Sequence, residues 1–110
     1  MYKISFYVPR DAVEKVKTAL FETGAGAWGA YREVAWQTLG QGQFRPLKGS
    51  HPTHGETLEL TFVEEYKVEM LCPQTHIQAA IATLKKTHPY EVPAFDVIAL
   101  AFGPFEEECS

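Results

Sequence analysis

Cysteine is scarce in this chain. Cys72 and Cys109 are the only two. No CxxC pair exists, and two thiols do not make a disulfide framework, so a reducing cytoplasm is the expected setting. Basic residues are also few. Ten Lys and Arg stand against 14 Asp and Glu, a net charge of −4. The basic residues are scattered, which argues against nucleic acid as a partner. No apolar run approaches the roughly 20 residues of a membrane helix. No signal peptide or lipidation motif precedes the first strand pattern, so no membrane partner is expected. A nucleophile with a base is missing too. Ser5, Ser50 and Ser110 lie in plain contexts, and neither cysteine has a histidine whose placement the sequence specifies. No catalytic residue, cofactor or resident metal is therefore assigned.

What is present suits one soluble domain. The chain has 110 residues, 45% of them hydrophobic and 22% charged. Such a chain buries roughly two-thirds of its unfolded surface and needs no staples. The domain is expected over residues 1–103, with 104–110 as an acidic tail containing Glu106, Glu107 and Glu108.

Periodicity orders the elements. Tyr2, Ile4, Phe6 and Val8 alternate with Lys3, Ser5 and Tyr7, a half-buried strand. Asp11, with Glu14 three residues on, predicts a capped helix start. Val13, Val16 and Leu20 form its apolar stripe, and Gly24 its stop. Tyr31 to Thr38 predicts a second strand, with Val34 and Trp36 on one face and Ala35 and Gln37 on the other. Leu58, Leu60 and Phe62 alternate as the returning side of a hairpin. Glu64-Glu65 interrupts, and Tyr66 to Leu71 resumes with Tyr66, Val68 and Met70 on one face. Pro73 opens a second helix that runs to Thr87. Its stripe is Ile77, Ala80, Ile81 and Leu84, and Lys85 and Lys86 suit its C-terminal dipole. Phe95 to Phe102 predicts the last strand, stopped by Gly103-Pro104.

The order is βαβ, then βαβ: an α+β, ferredoxin-like split βαβ fold. Right-handed crossovers put both helices on one face of an antiparallel sheet. The other face is left open. Its expected residues are Tyr7, Ala35, Leu71 and either Val97 or Ile98, mixed with Lys3, Ser5, Lys67 and Glu69. A half-apolar open face favours packing on another subunit. Trp28 and Trp36 are read as core or interface residues.

Between the second and third strands lies a long stretch, Leu39 to Glu56, without periodicity. Loops this long are commonly functional or disordered. Gly40-Gln41-Gly42-Gln43-Phe44-Arg45-Pro46 is glycine-rich, but it lacks the Lys-Ser/Thr of a phosphate loop and opens onto no helix. Arg45 carries a fork of donors suited to carboxylate or phosphate, in a ligand or in Glu64 or Glu65. His51, His54 and Glu56 contain metal-ligand chemistry at a spacing that specifies no site. Glu64 and Glu65, adjacent on a strand, point to opposite faces and do not share an ion. His88-Pro89-Tyr90-Glu91 joins imidazole, phenol and carboxylate at the end of the second helix. Its structural reading has Pro89 stopping the helix, His88 capping the last carbonyls and Tyr90 packing over an edge.

Three segments carry a family resemblance. Trp36-Gln37-Thr38-Leu39-Gly40-Gln41-Gly42-Gln43-Phe44-Arg45-Pro46, then Glu64-Glu65-Tyr66-Lys67-Val68-Glu69, then His88-Pro89-Tyr90-Glu91-Val92-Pro93-Ala94-Phe95-Asp96-Val97 stand in that order. They resemble the inserted domain of the YqfO/YbgI-type, Ngg-interacting-factor-like proteins, often labelled GTP cyclohydrolase type 2 homologues. The resemblance runs from Tyr2 to about Leu100. It implies a domain similar to CutA and the PII signalling proteins, with trimers whose sheets face inward. It also implies ligand and partner contacts on the loop, here Leu39 to Glu56. Full-length members carry a two-metal site on a flanking domain that this sequence lacks, so no enzymatic label is expected to transfer. The resemblance points to Gln41, Gln43 and Arg45 in the loop, and His88, Tyr90 and Glu91 in the closing motif, as ligand-binding residues. The expected function is a cytoplasmic homo-oligomer, trimer favoured, that binds a small anionic ligand or a partner protein. The alternatives are a divalent-metal binder using His51, His54 and Glu56, or His88 and Glu91, and a weak hydrolase at a subunit interface.

Overall fold

A computed structural model describes residues 1–52 and 55–101. His54, Cys109, the Gly103-Pro104 stop and the acidic tail lie outside the described residues. The elements are β1 (Tyr2–Pro9), α1 (Val13–Glu22), β2 (Trp36–Phe44), β3 (Thr61–Cys72), α2 (Ile77–Thr87) and β4 (Phe95–Ala99). A single 3-10 turn, Gln74–His76, leads into α2. The sheet order is β2-β3-β1-β4, with every neighbouring pair antiparallel. This is the expected ferredoxin-like α+β arrangement.

The period-two pattern of β1 places Ile4, Phe6 and Val8 inside, opposite Met70, Val68 and Tyr66 of β3. On the other side Ile4 and Phe6 meet Val97 and Phe95 of β4. Val13, Val16 and Leu20 of α1 and Ile77, Ala80 and Leu84 of α2 complete one buried cluster with them. Cys72 lies in this cluster, and burial pushes its thiol up to about 11, so it stays protonated and unreactive.

Several boundaries differ from the expectations. Ala12, not Asp11, is the N-cap of α1, and no side chain caps it. Asp11 stands one residue too early, inside the turn closed by the Ala12 N–H on the Pro9 carbonyl. Tyr31 to Ala35 is not strand. It holds a single Trp28–Tyr31 bridge and a positive φ at Glu33, and the strand begins at Trp36. Leu39 to Phe44 is strand rather than loop, because each of these residues pairs with β3, from Leu39 against Tyr66 to Phe44 against Thr61. Glu64 and Glu65 do not interrupt β3, which is continuous. The irregular connection is therefore 45–60.

This register also exchanges two neighbours. Ala35 packs against the core cluster. Trp36 lies opposite Glu69 on the open face and is 68% exposed. Ile98 joins it there, whereas Val97 packs inward. Neither Trp28 nor Trp36 is a core residue. Pro9 of β1 is the last partner of β3, at Glu65. Beyond it, residues 41–44 and 61–64 form a two-stranded arm, on which Phe62 is 54% exposed.

Candidate functional site

The site lies where the arm leaves the sheet. β1 contributes Tyr7, β2 contributes Phe44, β3 contributes Glu65, and the turn between α2 and β4 contributes Tyr90 and Glu91. The first half of the 45–60 loop folds over them. Together they line a cavity of about 300 Å³, with Gln43, Pro46, Pro52 and Val92 among its walls.

The turn is held from behind by His88, which is only 6% exposed. Its Nε2 donates to the Tyr7 carbonyl at 2.6 Å, and its Nδ1 accepts the Tyr90 N–H at 3.1 Å. A carbonyl only accepts and a backbone N–H only donates, so these bonds select the neutral Nε2–H tautomer. Burial lowers the histidine's pKa, against smaller opposing effects of the Tyr7 bond and Glu65. His88 is thus a brace between α2 and β1. Its ring does not reach the helix carbonyls; its backbone N–H bonds the Leu84 carbonyl instead.

Tyr90 packs its ring 4.8 Å from that of His88 and donates its hydroxyl to Glu65 Oε2 at 2.9 Å. Burial first, and then Glu65, raise the phenol's pKa, so Tyr90 stays a neutral donor. The other Glu65 oxygen occupies the space a Cβ on Gly42 would need. Gly42 therefore leaves the room that the carboxylate needs while it accepts from Tyr90. Gly42→Ala is expected to expel Glu65 from this position and to cost about 1–2 kcal/mol, the order of one charged hydrogen bond at a half-buried site. Gly40 has open space around its missing Cβ. Gly40→Ala is expected to be neutral or stabilising, because glycine is costly in a strand. Urea midpoints of the two variants check the contrast, and equal midpoints would refute it.

The loop is tied down at both ends of its described part. Glu91 Oε1 accepts the His51 N–H at 3.1 Å. Pro46 is buried, and its carbonyl accepts the Leu58 N–H. Arg45 donates from Nη1 to the Leu58 carbonyl at 3.0 Å. It pairs with neither Glu64 nor Glu65 in the bonds that fix the site. Glu64 instead takes Arg10 at 2.7 Å, and the two adjacent carboxylates point apart as strand geometry requires.

Of the six residues singled out from the sequence, Gln43, Tyr90 and Glu91 line the cavity and His88 supports it. Gln41 lies exposed on the arm, opposite Glu64. Arg45 lies exposed on the loop and does not line the cavity. Phe44, Pro46 and Pro52 fall within the Leu39 to Glu56 stretch expected to carry ligand contacts, whereas Tyr7 and Glu65 are not among the expected site residues. The alternation of β1 already put Tyr7 on the open face, and that was the available signal. Among the described residues no three His, Cys, Asp or Glu side chains converge as metal ligands. Both ring nitrogens of His88 are already engaged, which removes it from a pair with Glu91.

No protein-family model matches the chain. It is 41% identical over 106 residues to the GTP cyclohydrolase 1 type 2 homolog of Listeria monocytogenes, covering 96% of this chain and 28% of the relative. A Bacillus cereus protein related to NIF3 superposes with a TM-score of 0.79 at 32% identity, over 92% of this chain and 26% of that one. The PII-like protein CutA from Nostoc superposes with a TM-score of 0.65 at 18% identity, over 92% of this chain and 82% of that one. The chain thus spans about a quarter of the length of the curated relatives it matches, and it shares the fold of CutA along most of its length.

Proposed function

We propose, taking this chain as a relative of one segment of the GTP cyclohydrolase 1 type 2 homologues with the CutA fold, that it is a small homo-oligomeric binding protein. It holds its ligand or partner where the 45–60 loop meets the sheet. The observation that carries this reading is the cavity of about 300 Å³ beneath that loop, with Tyr90 and Glu91 in its wall. Small-ligand sites begin near that size and combine apolar walls with a few polar groups. The role is binding rather than catalysis. Tyr90 is held as a neutral donor and His88 is locked as a brace, so neither is poised to move a proton. Activity named for the full-length relatives is not carried over to a chain that spans a quarter of them.

The expectation of an anionic ligand rested on Arg45, which stands outside the cavity. Loop and cavity remain the binding site, and the groups that line the cavity set the charge of the ligand.

The open sheet face supports the oligomer. Trp36 and Ile98 are exposed there, beside a second cavity of about 310 Å³ lined by Trp28, Trp36 and Leu71. Large apolar groups on a face without helices gain from burial against another copy. A trimer with sheets turned inward is the proposed assembly. Native mass spectrometry of the untagged protein tests both parts. A trimer carrying added mass is expected, and Trp36→Asp should shift it to monomer. A wild-type monomer without adduct would overturn the reading.

A further inference from the structure

We infer that the cavity beneath the loop selects a small organic cation, an ammonium or guanidinium group carried on an apolar body. The inference rests on the proposed binding role of that cavity and names its ligand class. Among the described residues two charged side chains line it, Glu65 from β3 and Glu91 from the turn before β4, and both are carboxylates. No Lys, Arg or His lines it among the described residues. Arg45, between the lining residues Phe44 and Pro46, directs Nη1 to the Leu58 carbonyl instead.

The walls reinforce the sign. Tyr7, Phe44 and Tyr90 are three aromatic residues around one space of about 300 Å³. Aromatic faces attract cations through their negative quadrupole, most strongly where water is excluded. The carboxylates are held rather than loose. Glu65 is fixed by the Tyr90 hydroxyl at 2.9 Å and by the space above Gly42. Glu91 is fixed by the His51 N–H at 3.1 Å. An entering anion would lose its water beside two like charges and meet no cation among the described lining residues. An entering ammonium meets opposite charge and aromatic side chains together. Pro46 and Pro52 supply apolar surface for the ligand's body.

The test is a ¹⁵N NMR titration of the whole chain at pH 7 with three probes of one shape: benzylammonium, benzyl alcohol and phenylacetate. Benzylammonium is expected to shift the amides of Phe44, Ser50 and Val92 saturably, and at least tenfold more tightly than either other probe. Glu65→Gln keeps an acceptor for the Tyr90 hydroxyl, so it should fold. Combined with Glu91→Gln, it should weaken benzylammonium at least tenfold. If phenylacetate or benzyl alcohol saturates the same amides equally well, the cavity remains the binding site and the charge inference falls. If none of the three probes moves those amides, the cavity is not the binding site and both readings fall. The wild-type comparison needs no variant to fold.

Discussion

Phe6→Ala is expected to cost about 3–5 kcal/mol of unfolding free energy, the range for emptying a buried phenylalanine site. Phe6 is completely buried. It sits on the central strand β1, opposite Val68 of β3 and Phe95 of β4, in the cluster that both helices cover. Truncation forfeits the transfer free energy of the ring and leaves a void. The strand cannot close that void, because its backbone is hydrogen-bonded on both sides. Domains of this kind are stable by about 5–15 kcal/mol, so one substitution removes roughly a fifth or more. Phe62 is the control. It is the same residue on the two-stranded arm, 54% exposed, and Phe62→Ala should cost under about 1 kcal/mol in the monomer. Urea unfolding at one fixed protein concentration measures both, since association would otherwise shift the midpoints. A Phe6→Ala midpoint close to wild type would contradict the packing.

The second large effect concerns His88. Its side chain holds the Tyr7 carbonyl and the Tyr90 N–H, both at a buried position. His88→Ala leaves these groups without their partner and adds a cavity, at a cost of about 2–4 kcal/mol at pH 7.5. The same residue imposes a pH dependence. Burial lowers its pKa in the folded protein below the ordinary histidine value near 6.5. On acidification the unfolded chain takes up a proton at this residue before the folded chain does. Protonation therefore pulls toward the unfolded state, and stability falls as pH drops below about 6.5. It stops falling on this account below the folded-state pKa. Glu69 acts in a lower window. Its hydrogen bond from Lys3 holds its carboxyl below the usual range, so that contribution is lost only as acid titrates carboxylates. Melting temperatures at pH 7.5, 6.5 and 5.5 separate the two. Wild type should lose stability across this series, and His88→Asn, which cannot titrate, should lose much less. Equal slopes would show that His88 is not the titrating group.

His88 also marks how far the sequence could be read. The residue was visible as part of a polar turn after α2, and its neighbours Tyr90 and Glu91 were visible with it. Its task was not, because the Tyr7 carbonyl it braces lies 81 residues away in the chain. Glu65 is similar. Strand geometry showed that it and Glu64 point apart. Only the fold showed that Tyr90 receives one of them and Arg10 the other.

The segment from Leu39 to Phe44 gives the opposite lesson. Its glycines and glutamines hide a strand, because a β ladder is made by backbone groups and tolerates residues that carry no apolar signal. The pairing partner, β3, begins 17 residues later, and nothing local reports it. Trp36 and Ala35 exchanged faces for the same reason. A period of two has two phases, and pairing of Trp36 with Glu69 chose between them.

The chain by itself determined the order of its elements and most of its core. Burial follows local periodicity, and Ile4, Phe6, Val13, Val16, Leu20, Val68, Met70 and Leu84 all declared themselves that way before lying inside. The tertiary structure alone decided the register of β2, the reach of the arm and the cavity under the loop. Those depend on contacts between residues distant in sequence, where geometry in three dimensions, not spacing along the chain, sets which side chains share a space.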